Sequence, residues 1–199
     1  MRPAILRVFA AALAALAPSM AFAHTGIGDT HGFMHGFSHP IGGLDHVAAM
    51  VMVGVFASQL GGRAIWLVPS TFVAVMAAGG VLGVAGVQIP FVEVGVALSV
   101  IVLGAVVAFG VKAPLAAAAG LVGLFAIFHG YAHGAEMPET ASGVAYAAGF
   151  MLATATLHAA GAGFGLAMNS LAERSGRWVV QGAGVAAAAL GVLILGGVA

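Results

Sequence analysis

Cysteine is absent from the chain. Disulfides, thiolate metal sites and cysteine nucleophiles are excluded, and cysteine usage says nothing about the redox compartment. Charge is almost as scarce. Only 6% of the 199 residues are Asp, Glu, Lys or Arg, against about a quarter in an ordinary soluble domain. Six basic and six acidic side chains cannot cover a water-soluble surface of this size. The formal net charge is zero, so no basic patch invites nucleic acid. No Walker A loop is present, so this chain carries no ATP-hydrolysing motif.

What is present is apolar: 62% of the residues are hydrophobic. That is the composition of an integral membrane protein. The chain opens with Arg2 and Arg7, an apolar run from Val8 to Leu16, Pro18, and then Ala21-Phe22-Ala23. A basic start, an apolar run and an A-x-A end form a secretory signal peptide over residues 1–23. Cleavage after Ala23 makes His24 the mature N-terminus; the other reading is an uncleaved signal anchor. Residues 24–40 form a periplasmic His- and Gly-rich lead-in, and residues 41–199 the transmembrane domain.

A spanning helix takes about 20 mostly apolar residues. Six segments fit: Gly42–Leu60, Ala64–Val87, Phe91–Val111, Pro114–His133, Ala141–Met168 and Trp178–Val198. Short joints between them make consecutive helices antiparallel. The expected fold is all-α, a compact bundle of six transmembrane helices. Arg63, Lys112, Arg174 and Arg177 fall in the first, third and fifth joints, and the second and fourth carry no Lys or Arg. The odd joints are then cytoplasmic. The mature N-terminus and the C-terminus both lie on the periplasmic side of a bacterial inner membrane, as a cleaved signal peptide also requires. Gly79/Gly83 and Gly161/Gly165 are small-xxx-small pairs. Packing inside the bundle is the simpler reading; a seam between copies in a homo-oligomer is the other.

Against this background stand two motifs, HPIGGLDH from His39 to His46 and HGYAHGAE from His129 to Glu136. Histidine and carboxylate are costly in hydrocarbon, and their presence marks a functional site. His39, Asp45 and His46 fall in the outer half of the first span. His129 and His133 fall in the outer half of the fourth, with Glu136 at the rim. Each motif reaches about 10 Å below its helix end. His129 and His133 are at i and i+4 and share a face; Glu136 continues that stripe. His39 and His46 are at i and i+7, with Pro40 in the helix's first turn. Asp45 lies one position off, either a direct ligand or the group that holds His46. The expected site is a divalent transition metal held by His39, Asp45, His46, His129, His133 and Glu136. Hydrogen bonding to neighbouring helices would explain one lone histidine better than two motifs at matched depth.

Other polar groups have two readings each. Glu93, at the outer start of the third span, either adds to the site or sits at the interface. His158, about 26 Å into the fifth span, lies near the inner end. It is a relay on a permeation path or a hydrogen-bonded core residue. His24, His31 and His35 belong to the lead-in. Spacing by four from His31 to His39 would align them as a metal-capture arm, while Gly26, Gly28, Gly32 and Gly36 favour a solvated segment with no stable helix. Met34 and Met137 near the outer face would suit copper(I), although Met is also a common filler.

Through its signal peptide, His-rich lead-in, six spans and both motifs, the whole chain resembles the HupE/UreJ family of bacterial membrane proteins. Neither motif departs from the family pattern. The resemblance implies a nickel or cobalt permease serving hydrogenase or urease, with His39, Asp45, His46, His129, His133 and Glu136 at the family's motif positions. No permanent cofactor and no enzyme activity are expected; the partners are the metal ion and the lipid bilayer. Ni²⁺ is the favoured ion, with Co²⁺, Zn²⁺ and Cu as competitors. Two other classes stay open. An intramembrane metalloenzyme would use Glu136 or Asp45 as general base, although Gly130 stands where HExxH has its glutamate. A sensor or assembly protein would bind metal without flux, although no soluble signalling domain is attached.

Overall fold

The computed structural model describes residues 30–137, 142–171 and 173–197. The signal peptide expected over residues 1–23, and His24, lie outside the described residues.

A bilayer offers no water to backbone N–H and C=O groups, so an apolar chain must bond its backbone internally, which a helix does alone. Among the described residues the chain is all-α, with no strand. The helices are α1 (Thr30–Gly42), α2 (Leu44–Leu60), α3 (Ala64–Val84), α4 (Val92–Ala108), α5 (Leu115–Ala135), α6 (Gly143–Leu171) and α7 (Glu173–Leu195). By length and composition α3, α5, α6 and α7 suit a membrane crossing. α1 and α2 add a fifth only as a pair bent by 83°. α4 has 17 residues, a rise of about 25 Å against roughly 30 Å of hydrocarbon. Among the described residues the result is four to five candidate spans where six are expected.

Backbone geometry explains the shortfall. Gly43 is extended, at φ −98° and ψ 123°, and trims the first expected span to the 17 residues of α2. Phe91, the N-cap of α4, is left-handed at φ 60°, a conformation unfavourable for a bulky residue. Gly110, at φ 59°, lies just beyond the other end of α4. The joint expected over Glu173–Arg177 is instead helical, because α7 already begins at Glu173.

The lead-in departs from expectation too: Gly32 and Gly36 lie within α1. Glycine's helix penalty is offset by close packing on α6. A Cβ on Gly36 would overlap the Tyr146 carbonyl, and one on Gly149 the Phe33 carbonyl.

The same device closes the other seams. Between α3 and α5, a Cβ on Gly130 would overlap the Met76 carbonyl, and one on Gly134 the Gly80 carbonyl; Gly79 and Gly83 face the Ile127 and Tyr131 carbonyls from the other side. Between α2 and α6, Gly54 abuts His158, Gly161 abuts Val51 and Gly165 abuts Ser58. Both small-residue pairs noted in the sequence therefore pack internally.

α2 runs through the middle of the bundle, with Met50, Val53, Val55 and Phe56 buried. Trp66, Leu124, Leu152, Trp178 and Val192 point outward, while Ser58, Ser99, His129, His133, Thr154 and His158 are buried. Polar groups inside and apolar groups outside suit a chain solvated by lipid. At the C-terminal end of α2, Lys112 donates to the Gln59 carbonyl, placing a cation on the negative helix end.

Candidate metal centre

His129 and His133 project from one face of α5, a turn apart, and both are fully buried. α2 sets His46 against them, its ring centroid 4.8 Å from that of His129 and 4.6 Å from that of His133. α1 adds His39, whose ring lies 5.0 Å from His133 and whose Nε2 lies 3.0 Å from Glu136 Oε2. All six motif residues thus belong to one contact network, since Asp45 Oδ1 lies 2.9 Å from His46 Nδ1.

The route to this meeting corrects the sequence reading. His39 and His46 do not form a stripe on one helix, because the chain turns by 83° between α1 and α2. Pro40 sits late in α1 rather than in the first turn of a span. The turn at Gly43 lets His39 reach His133. A Cβ at Gly43 would lie 2.7 Å from Asp45 Oδ1 and 3.2 Å from His46 Nδ1, so any larger residue would press on that pair.

Donor counting fixes the tautomers of two rings. Asp45 Oδ1 accepts from the His46 backbone N–H at 2.8 Å and faces Nδ1 at 2.9 Å. A carboxylate only accepts, so Nδ1 carries the hydrogen and Nε2 keeps its lone pair. Ser99 Oγ lies 2.8 Å from His129 Nε2 and donates to the Val96 carbonyl at 2.6 Å. Its one hydrogen is thereby committed, so it accepts from Nε2–H, and the lone pair of His129 falls on Nδ1. His46 Nε2, His129 Nδ1 and both nitrogens of His133 are buried without a hydrogen-bond partner.

A buried polar atom left unpaired costs about 1–3 kcal/mol. Here four such nitrogens sit in three touching rings. Neutral imidazole with a free lone pair is a ligand for transition metals. Two of these rings are also oriented by a partner on the opposite nitrogen, as metal-ligating histidines generally are. As they stand, the rings pack edge to face, at 89° for His46–His129 and 61° for His46–His133. Among the described residues, no group of three or more His, Asp or Glu side chains is already arranged to hold an ion.

Aromatic groups bound the cluster. Phe150 stacks on His133 at 5.3 Å. Tyr146 lies 6.4 Å from His39 and 6.0 Å from His35, and His35 stacks on His39 at 6.1 Å. Phe72 lies 5.7 Å from His129 and 5.1 Å from His158.

The other candidates separate. Glu93 is exposed in the first turn of α4 and joins none of these contacts. His31 stands at the start of α1, with its side chain outside the described residues. Met34 is exposed, and Met137 packs against the core. His158 is buried, but neither ring nitrogen is hydrogen-bonded, so the hydrogen-bonded core reading does not describe it. Nor is it near the inner end: it lies about 22 Å along α6 from Gly143 and about 20 Å from Leu171. Sequence reasoning missed Ser99, Phe72, Tyr146 and Phe150. Ser99 alone offered a signal, as the one hydroxyl in α4.

A family model described as HupE / UreJ protein matches residues 11–194. Protein HupE of Rhizobium leguminosarum bv. viciae is 50% identical over 186 residues, covering 93% of this chain and 95% of that protein. No solved structure matches.

Proposed function

For this chain, which belongs to the HupE/UreJ family, we propose the role of an inner-membrane permease or channel for a divalent transition metal, Ni²⁺ foremost. It would supply nickel enzymes such as hydrogenase or urease. The observation that carries this reading is the trio of touching imidazoles, two buried and one half-buried, with four buried and unpartnered nitrogens. The ion is cargo, not a resident cofactor.

His39 and Glu136 form the outer step. Their side chains are 31% and 57% exposed, open enough to meet a hydrated ion. His46, His129 and His133 form the buried step, where imidazole replaces water as small ring rotations turn the free nitrogens inward. Asp45 supplies negative charge beside His46 and orients it. The Irving–Williams order places nickel above cobalt, iron and manganese on such a donor set. Copper and zinc are excluded by supply or geometry rather than by intrinsic affinity. The membrane potential suffices to drive the flow: two charges crossing 100 mV gain about 4.6 kcal/mol.

In this reading the chain crosses six times from α2 to α7, with both mature termini periplasmic. The arginines and Lys112 in the odd joints support that orientation. A reporter enzyme fused after Ala199 is expected to be active on the periplasmic side; cytoplasmic activity would reverse the orientation.

The deciding experiment is uptake of radioactive nickel by cells that lack their own nickel transporters. Accumulation that depends on this chain supports a permease. If neither nickel, cobalt nor zinc accumulates, the permease reading is wrong, and a metalloenzyme or sensor takes its place.

Ser99 gives a finer test. Ser99→Ala releases the His129 ring from its fixed tautomer. The nickel concentration for half-maximal uptake is expected to rise about 10–100-fold, as when a ligand's orienting partner is lost. Ser99→Thr keeps the hydroxyl and should restore it. Unchanged half-saturation in Ser99→Ala would show that the hydroxyl does not set the ligand.

A further inference from the structure

Below the outer cluster one buried polar group has no part in the scheme so far. His158 is 1% exposed, and neither Nδ1 nor Nε2 has a hydrogen-bond partner. The buried Ser and Thr hydroxyls of the bundle avoid that penalty. Ser58 bonds the Val55 carbonyl, Ser99 the Val96 carbonyl, and Thr154 approaches Met76 Sδ at 3.7 Å. Among the described residues, the histidine rings with both nitrogens unsatisfied are His133, in the outer cluster, and His158.

Its position extends the outer cluster inward. On α6, Tyr146, Phe150, Thr154 and His158 recur every four residues and share one face. Phe150 on that face stacks on His133. On α3, Phe72 and Met76 form the facing pair. Phe72 links the two levels: its ring centroid lies 5.7 Å from that of His129 and 5.1 Å from that of His158, which it meets edge-on at 86°.

We infer that His158, with Thr154 one turn before it on α6 and the Met76 thioether that Thr154 approaches, is a second, inward stop for the divalent ion, bridged to the outer cluster by the Phe72 ring. The inference rests on the outer cluster being the ion's entry site. The donors differ in kind from those above. The outer cluster as a whole includes Asp45 and Glu136, whereas the inner stop offers an imidazole, a hydroxyl and a thioether, with no charge of its own. An ion is therefore held less firmly at His158 than among the outer groups, as conduction requires of a site that must release. The uncharged site also makes residence brief, because a bare divalent ion is costly in a low-dielectric interior. A new ion entering the outer cluster repels the one at His158 and pushes it on.

The test uses the full-length protein, purified and reconstituted in lipid, with nickel as the only probe. His158→Leu removes both nitrogens while nearly filling their space. Two readouts are needed: nickel bound at equilibrium, and initial uptake into proteoliposomes. The expected result is loss of the weaker component of binding, with the tighter one unchanged within about twofold, and uptake reduced at least about tenfold. Uptake by His158→Leu at the unmodified rate overturns the inference. If His158→Leu does not fold, His158→Met decides. It keeps a soft donor in place, so nickel uptake close to that of the unmodified protein supports the stop. A folded His158→Met protein that has lost uptake, or one that also fails to fold, makes His158 a packing residue and overturns it. Failure of the outer reading looks different: the unmodified protein would show no tight nickel component, or His129→Ala/His133→Ala would transport normally.

Discussion

Nickel uptake is expected to vanish when His129 and His133 are both replaced by alanine, with the protein still reaching the membrane in normal amount. The pair supplies three of the four unpartnered nitrogens of the outer cluster. With both gone, the half-buried His46 is the ring that remains at this level, and one imidazole beside Asp45 does not replace the water shell of a divalent ion. Truncating two buried rings opens space, and large-to-small changes in cores cost about 2–5 kcal/mol each. Part of that is returned here, because nitrogens that were buried without partners are removed with the rings. His129→Leu/His133→Leu separates the effects, since leucine fills most of the volume and ligates nothing. Uptake and membrane abundance are measured together. A double variant, alanine or leucine, that accumulates nickel with unchanged half-saturation would remove the cluster from the ion's path.

The second large effect is structural. Gly130→Leu is expected to prevent assembly of the bundle, although Gly130 is neither charged nor reactive. Its missing side chain lets α5 and α3 touch: a Cβ there would overlap the Met76 carbonyl and sit 2.9 Å from the Gly80 nitrogen. Both obstacles are backbone, so no rotamer change relieves them. Overpacking a core costs about 1–3 kcal/mol and more when backbones must part, a large share of a stability of about 5–15 kcal/mol. Gly120, on the same helix, has nothing within 4 Å of its would-be Cβ. Gly120→Leu is therefore the control and should fold normally. Thermal unfolding in detergent distinguishes them. Equal stability of the two variants would mean that the α3–α5 seam tolerates a gap.

The large features were legible in the sequence because lipid imposes them. Scarce charge and long apolar runs dictate helices, and His129 and His133 show their common face through spacing alone. Positive charges at Arg63 and Lys112 suggested a depth for each motif, and the rings of His46 do meet those of His129 and His133. The rest depends on tertiary contact. Gly43 looks like many other glycines in the chain; only the Asp45 and His46 side chains beside it show what it accommodates. The helix over Thr30–Gly42 is disfavoured by its glycines in isolation and stabilised by the Tyr146 and Gly149 backbones it touches. Ser99 and Phe72 occupy runs that read as lipid-facing or core, and acquire a role only when α4 and α3 close on α5. His158 was placed near the inner end because its depth was counted from Ala141 alone; counted from both ends of α6, Gly143 and Leu171, it falls near the middle of the helix.

The shortness of α4 has a consequence for the surrounding lipid. In the six-crossing arrangement α4 must traverse the bilayer with about 25 Å of helix, some 5 Å less than the hydrocarbon layer. α2 is equally short, but protein surrounds it. α4 instead shows Val94 and Leu98 to the outside. Lipids beside it are drawn thin, or α4 is pulled toward one surface, and either form of mismatch costs fractions of a kcal/mol per ångström. Ser99 rides on this helix and holds His129. On the proposed permease reading, acyl-chain length would then act on the His129 ring, and bilayer thickness would become a setting of the ion's path.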